Sequence, residues 1–225
     1  MSDGRQFVLD FPHRPSLGEG DYLVSESNIE AISWIDIWPE WPTPALAVYG
    51  PPGCGKTHLG HVWRARSKAI LLDVSNIPAA SPPELLGGAV NCIVDNACEG
   101  VQAEAFLHLY NHINELGGKL LILGQSAPAR WALSLADLSS RLNAAPAIEI
   151  KEPDDNLLRA LLSKLFQDRQ LKVGEDVLDY LLTRMERSFD AAREVVEVSD
   201  RIGLSQGRPI TVNLAREVLG RLGTN

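Results

Sequence analysis

One glycine-rich stretch limits what this chain can fold into. Residues 46–59 read LAVYGPPGCGKTHL: an apolar run, a turn rich in glycine, and the start of a helix. Gly50, Gly55, Lys56 and Thr57 fit the phosphate-loop pattern G-x-x-x-x-G-K-[ST]. In such a loop, glycines let successive backbone N–H groups point at phosphate oxygens, and the helix N-terminus adds partial positive charge. The stretch therefore predicts a buried strand, a nucleotide-phosphate loop and a helix.

The predicted ligand is ADP or ATP with Mg²⁺. Lys56 is expected to reach the β- and γ-phosphates, and the Thr57 hydroxyl is expected to ligate the metal. Asp95 ends a later apolar run, CIVD, and is expected to hold the same ion through water. The predicted nucleotide-binding residues are Gly50, Pro51, Pro52, Gly53, Cys54, Gly55, Lys56, Thr57 and His58.

Composition is that of an ordinary globular protein. Of 225 residues, 45% are hydrophobic and 22% charged, and no run of apolar residues is long enough to span a membrane. The N-terminal MSDGRQF has no apolar signal core, and the three cysteines lack disulfide-framework spacing. We therefore expect a cytoplasmic protein with reduced thiols and no membrane association.

The distribution of charge argues against a stand-alone DNA-binding protein. The formal net charge is −8, and residues 1–150 carry 9 Lys+Arg against 16 Asp+Glu. A protein that binds DNA directly usually presents a basic face. Composition therefore favours protein partners.

The order of patterns predicts an α/β domain followed by a helical one. Strands are predicted at 45–49, 69–74, 91–95, 119–123 and 147–150, separated by helical segments, which indicates a parallel five-stranded sheet. After Pro153 only helical periodicity is found, at 156–170, 174–185, 189–206 and 212–222. The predicted domains are an extended arm (1–20), an α/β nucleotide-binding domain (21–150) and an all-helical domain (151–225).

Asn96 follows the predicted magnesium ligand. Nucleotide hydrolases of this architecture normally have an acid at this position, which polarises the attacking water. An amide cannot accept the proton, so general-base assistance is lost and intrinsic hydrolysis is expected to be slow. Alternatively, Asn96 is simply a turn residue at the end of the strand.

The N-terminal arm carries an unusual apolar pattern. Gln6, Leu9 and Phe11 have the spacing Q-x-x-L-x-F ahead of Pro12 and Pro15. Apolar side chains on an exposed arm suggest insertion into a partner. The residues alone leave open that the arm instead covers part of its own domain.

Several of these stretches together resemble one branch of the AAA+ ATPases. They are YGPPGCGKTHL (49–59), CIVDN (92–96), LHLYNHINELGGKLLILG (107–124) and DLSSRL (137–142). An α/β domain followed by a helical lid is similar to AAA+ proteins generally. The combination more narrowly resembles the replication initiator DnaA and its shorter relatives, the Hda regulators. Asn96 and the lack of a basic helix-turn-helix domain after the lid favour the Hda branch.

The resemblance implies partners and further site residues. Arg141, in DLSSRL, has the position of the AAA+ arginine finger, which acts in trans on ATP bound by a neighbouring subunit, here the DnaA initiator. QFVLDF is similar to the clamp-binding peptides of Hda proteins, so Gln6, Leu9 and Phe11 would dock on the polymerase III sliding clamp. DNA would be approached only through the clamp, and a homodimer is compatible with the family.

Some positions depart from the family pattern. Gln125 or Ser126 stands where a γ-phosphate sensor is often found, and Asp190 stands where the lid usually has a nucleotide-contacting Arg. Unless Arg187 or Arg193 substitutes, ADP is the expected preference, and any intrinsic ATPase would be weak. The alternative function is a DnaA-related ATPase that binds DNA or loads helicase and turns over its own ATP.

Overall fold

The chain folds into two compact units, each with its own hydrophobic core. The computed structural model describes residues 13–14, 22–79, 81–98 and 101–223. Gln6, Leu9 and Phe11 of the predicted arm lie outside the described residues.

The division between the two units falls between residues 152 and 153. Of the described residues, Tyr22 and 26–152 form the larger unit, and residues 153–223 form the smaller one together with 13–14 and 23–25. Two short strands, β1 (His13–Arg14) and β2 (Tyr22–Leu23), precede the first helix.

A five-stranded parallel sheet forms the centre of the larger unit. Its strands are β3 (Ala45–Tyr49), β4 (Ile70–Asp73), β5 (Cys92–Ala97), β6 (Leu120–Gly124) and β7 (Ala147–Glu149). They lie in the order β4-β5-β6-β3-β7, and every pairing is parallel. Because parallel strands are buried on both faces, the central ones are near-continuous apolar runs. The predicted strands are confirmed, with ends that differ by at most two residues.

Helices cover both faces of this sheet. They are α1 (Ile29–Asp36), α2 (Lys56–Ser67), α3 (Pro82–Leu86), α4 (Ala103–Glu115) and α5 (Ala136–Ala144), with 3₁₀ turns at Val74–Ala79 and Pro128–Arg130. On one face, Phe106 of α4 and Leu138 of α5 share a buried cluster with alternate residues of β3. On the other face, α2 packs closely against β6: a Cβ at Gly60 of α2 would be 3.0 Å from Leu123 Cδ1.

The smaller unit is all-helical over its described C-terminal part. Its helices are α6 (Asp155–Asp168), α7 (Glu175–Leu182), α8 (Phe189–Gln206) and α9 (Val212–Leu222). Side chains cap three of them: Asp154, Ser188 and Thr211 each accept a hydrogen bond from a backbone N–H three residues on. These four helices confirm the all-helical character predicted for the chain after Pro153. Among the described helices, none is both long and apolar enough to cross a membrane.

Candidate nucleotide-phosphate site

The loop between β3 and α2 has the backbone that the glycine pattern predicts. Gly53 and Gly55 have φ of 68° and 97°, in the left-handed region that favours glycine. Gly50 is required for a different reason: a Cβ there would be 2.1 Å from the carbonyl oxygen of Ile150. The three glycines therefore have specific steric roles in shaping the loop.

Lys56 points back over the loop. Its Nζ donates to the carbonyl oxygens of Gly50 and Pro51, each at 2.8 Å. A phosphate oxygen is a stronger acceptor than a carbonyl, because it is charged. The ammonium group is thus held next to the loop, where it can hold an anion.

The N-terminus of α2 supplies further donors. Gly55 is its N-cap, and no side chain among the described residues caps it. The first turn contains no acidic residue. Uncapped N–H groups and the helix dipole both favour a bound anion, so the loop and the helix start together fit a nucleotide's phosphates.

Cys54 contributes packing rather than reactivity. The residue is 1% exposed, and burial raises the pKa of its thiol, partly offset by the nearby Lys56 charge. The thiol therefore stays protonated near neutral pH, and it fills the space beneath the loop.

The two predicted magnesium residues lie together. Thr57 Oγ1 donates to Asp95 Oδ2 at 2.8 Å, which joins the start of α2 to the end of β5. Among the described residues, no group of three or more His, Cys, Asp or Glu side chains could hold a metal alone. A hydroxyl beside a carboxylate fits Mg²⁺, which retains waters and takes its remaining ligands from phosphate. Thr57 and Asp95 would hold it, and the ion would supply charge stabilisation at the phosphates.

Asn96 combines an unusual backbone with two hydrogen bonds. Its φ is 57°, and the pairing of β5 with β6 shifts register between Val94 and Ala97. Its backbone N–H donates to Asp95 Oδ1 at 2.8 Å, and its side-chain Nδ2 donates to Asp73 Oδ2 at 2.6 Å. Asn96 therefore orients Asp95, the candidate magnesium ligand, and at the same time binds the carboxylate of Asp73.

Asp73 is a site residue that the sequence prediction missed. It ends β4, is paired in register with Asp95, and accepts hydrogen bonds from Ser75 as well as from Asn96. The Ser75 hydroxyl, followed by the Asn96 amide, lowers the pKa of its carboxyl below the usual range. One signal was available: like Asp95, Asp73 is an acid at the carboxyl end of a buried parallel strand.

The predicted phosphate sensors make contacts of other kinds. Gln125 is exposed, whereas Ser126 Oγ accepts a hydrogen bond from Trp131 Nε1 at 3.1 Å. In the helical unit, Arg193 lies 3.7 Å from Asp190, and Arg187 lies 2.9 Å from Asp155. Both arginines considered as substitutes at the Asp190 position therefore have acidic partners within their own unit.

Arg141 lies near the end of α5. Its guanidinium donates to both carboxylate oxygens of Asp137, at 2.9 and 3.3 Å, and lies 5.7 Å from the ring centre of Tyr110. The hydrogen bond to Asp137 raises the pKa of Arg141, so the group stays charged. Its side chain is 36% exposed, so a permanent cation is presented at the surface in a defined orientation.

The helical unit matches a known family. Residues 154–219 match the family model described as the lid domain of Hda. The α/β unit and this lid together have the architecture of domain III of the Thermotoga maritima replication initiation protein DnaA. That structure shares 16% identity, covers 89% of this chain and 94% of its own, and superposes with a TM-score of 0.73.

Residues 154–219 thus match the Hda lid family, and the chain as a whole has the fold of DnaA domain III. The AMPPCP-bound DnaA of Aquifex aeolicus is also similar, at 18% identity and a TM-score of 0.65, over 83% of this chain and 64% of that one. The Holliday junction branch migration motor RuvB of Thermotoga maritima has 14% identity and a TM-score of 0.65, over 88% and 70%. The chain spans about two thirds of these two longer proteins. The predicted fold class, a parallel five-stranded α/β domain followed by a helical lid, is confirmed.

Proposed function

We propose that this Hda-like protein regulates chromosomal replication initiation by stimulating ATP hydrolysis on a DnaA-type initiator. The observation that carries the proposal is the Hda lid match on a chain whose whole fold resembles DnaA domain III. AAA+ proteins of this branch form nucleotide sites between subunits. A DnaA-related chain can therefore supply a residue to a DnaA nucleotide.

Arg141 is the residue proposed to act on the initiator. It is charged and about one third exposed, and among the described residues its ion pair is with Asp137 on its own helix. Exposed ion pairs of this kind are weak in water, so an approaching γ-phosphate can replace Asp137 as the partner of the guanidinium. An arginine finger that neutralises charge developing on the transferred phosphoryl group is worth roughly 10³–10⁵ in rate in related systems.

The chain's own phosphate loop is proposed to bind ADP or ATP with Mg²⁺ and to hydrolyse it slowly. Support comes from two contacts: Lys56 Nζ lies against the loop carbonyl of Gly50, and the Thr57 hydroxyl donates to Asp95. Asn96 cannot act as a base, and Asp190 in the lid is acidic. The bound nucleotide would then stabilise one arrangement of the protein rather than serve as fuel, with ADP the preferred form.

Gln6, Leu9 and Phe11 are proposed to tether the protein to the sliding clamp. Support for this comes from the sequence of the arm alone, QFVLDF. Tethering would raise the effective concentration of Arg141 near initiator molecules at replicating DNA. Contact with DNA would be indirect, in keeping with the net charge of −8.

The decisive assay measures conversion of radiolabelled ATP–DnaA to ADP–DnaA in the presence of clamp-loaded DNA. Arg141→Ala should lose stimulation by two orders of magnitude or more, since the finger is worth roughly 10³–10⁵. Arg64→Ala, which removes an exposed arginine from α2, is the matched control and should retain stimulation. Full stimulation by Arg141→Ala would exclude the finger assignment.

The tether is tested separately. Changing Gln6, Leu9 and Phe11 together to Ala should abolish stimulation on clamp-loaded DNA while leaving ADP binding unchanged. Stimulation that persists without these side chains would remove the clamp from the proposal.

The rival function, an ATPase with its own turnover, is tested with the isolated protein. Its supporting observation is the intact pair of Thr57 and Asp95. It predicts hydrolysis without DnaA and salt-sensitive DNA binding. Under the proposed function, the isolated protein should hydrolyse ATP only slowly and should show no salt-sensitive DNA binding.

A further inference from the structure

The acid that is missing at position 96 is present one strand away. Asp73 ends β4 and Asn96 lies near the end of β5, and their side chains meet with Nδ2 2.6 Å from Oδ2. Asp73 is partly exposed at the carboxyl edge of the sheet, the edge at which Thr57 contacts Asp95. A carboxylate and an amide are therefore adjacent there, with the amide on β5 and the acid on β4.

We infer that Asp73 and Asn96 form an exchanged acid–amide pair, which lets the phosphate loop bind nucleotide while hydrolysis stays slow. The inference rests on the proposed nucleotide-binding function and deepens it. Asp73 is a positioning residue, which acts through Asn96 on Asp95.

Both oxygens of the Asp73 carboxylate are engaged. Oδ2 accepts from the Asn96 amide, and Oδ1 accepts from the backbone N–H and the hydroxyl of Ser75. A carboxylate that already accepts three hydrogen bonds is a poor base toward water. The same contacts fix Asn96, whose backbone N–H orients Asp95 at 2.8 Å.

A strand-end turn alone does not require this pair. The backbone at position 96 has φ of 57°, which glycine adopts with less strain than asparagine. Asparagine tolerates the conformation and adds an amide that reaches β4. The side chain thus makes a contact that the turn does not need.

An acid introduced at position 96 alone would be destabilised by the charge of Asp73. Asn96→Asp would put two carboxylates within hydrogen-bond distance, and they could not both stay ionised at neutral pH without mutual repulsion. Asp73→Asn together with Asn96→Asp restores an acid–amide pair with the acid on β5. In this exchanged variant the new carboxylate can accept a proton from water as the water oxygen attacks the γ-phosphorus, the bond to the β-phosphate oxygen breaks, and ADP and phosphate leave.

The test compares the natural chain, both single variants and the exchanged double variant. Melting temperature without nucleotide should fall by about 3 °C or more in Asn96→Asp at pH 7 and return to within about 2 °C of the natural value in the double variant. Intrinsic ATP turnover should rise about 100-fold in the double variant, because general bases typically contribute 10²–10⁴. Neither single variant should reach this rate.

Lys56→Ala in the double variant is the control, and it should remove the new turnover. If the double variant melts as low as Asn96→Asp, the pairing of Asp73 with Asn96 is refuted. If it is stable and binds fluorescent ADP but turns over ATP no faster than the natural chain, the inferred effect of the pair on hydrolysis is refuted. Failure of the natural chain to bind ADP would instead refute the proposed function, while the melting comparison would still decide the pair.

Discussion

Lys56 is held by its own loop, through two carbonyl oxygens at 2.8 Å. Neither contact is an ion pair, so the positive charge is not neutralised by them. The Lys56 ammonium group is oriented without losing its charge, so it still attracts phosphate. Removing this group should therefore weaken nucleotide binding more than it lowers the free energy of unfolding.

We expect Lys56→Ala to weaken ADP binding about 10- to 100-fold, because a hydrogen bond to a charged group is worth about 1.5–3 kcal/mol. Titration with fluorescent ADP measures the change. Lys172→Ala, which removes an exposed lysine of the lid, should bind normally. Equal affinities for all three proteins would refute the assignment of the loop.

The three cysteines should react at very different rates. Burial raises the pKa of Cys92 to about 12, and Cys54 is buried too, whereas Cys98 is exposed. Since the thiolate is the reactive form, a chromogenic disulfide at pH 8 should titrate one fast thiol in the folded protein and three in denaturant. Cys98→Ser should remove the fast phase, and a fast phase that remained would contradict the described burial.

At the scale of single elements, helix α8 is capped by the residue that precedes it. Ser188 is 5% exposed, and its Oγ accepts from Ala191 N at 3.0 Å. An unsatisfied N–H at this end would be shielded from water, which makes its loss costly.

Ser188→Ala should lower the free energy of unfolding by about 1 kcal/mol, within the usual 0.5–2 for an N-cap. Chemical denaturation of the full chain gives the value. Ser205→Ala, in the last turns of the same helix, should change it by less than about 0.5 kcal/mol, and Ser188→Thr should retain most of the cap. Equal effects of the two alanine variants would argue against capping.

Alanine substitutions at two glycines, one in α9 and one just before β6, should change the free energy of unfolding in opposite directions. A Cβ at Gly220 in α9 meets no atom within 4 Å, so Gly220→Ala should stabilise by about 0.5–1 kcal/mol. A Cβ at Gly118, just before β6, would lie 1.7 Å from Val90 O, and Gly118→Ala should destabilise by at least about 2 kcal/mol. Thermal melts of both variants test the signs.

For the whole molecule, the presence of two separate cores predicts that the lid folds on its own. Residues 153–225 expressed alone should give a helical circular dichroism spectrum and a cooperative melt, because the core of the unit lies within them. Val196→Asp should abolish the transition, whereas Leu204→Asp, on the same helix but 75% exposed, should not. A gradual melt of the natural fragment would contradict the prediction.

Much of the architecture could be predicted from local patterns, since β3 and helices α8 and α9 have the predicted bounds. The pairing of Asp137 with Arg141 could also be derived from their spacing of four. The contact of Asp73 with Asn96 could not. It depends on the register of β4 against β5 and on an irregularity at the end of β5, and neither is encoded by spacing along the chain.

The absence of a side chain at Gly50 has a mechanical consequence. Ile150, whose carbonyl lies against it, also donates its N–H to Tyr49 O at 2.7 Å and comes three residues before the lid unit begins at Pro153. The segment that leads into the lid is thus fastened to the base of the phosphate loop, with no flexible side chain between them to absorb strain. A shift of the backbone at Ile150 would therefore displace the backbone at Gly50, at the start of the phosphate loop.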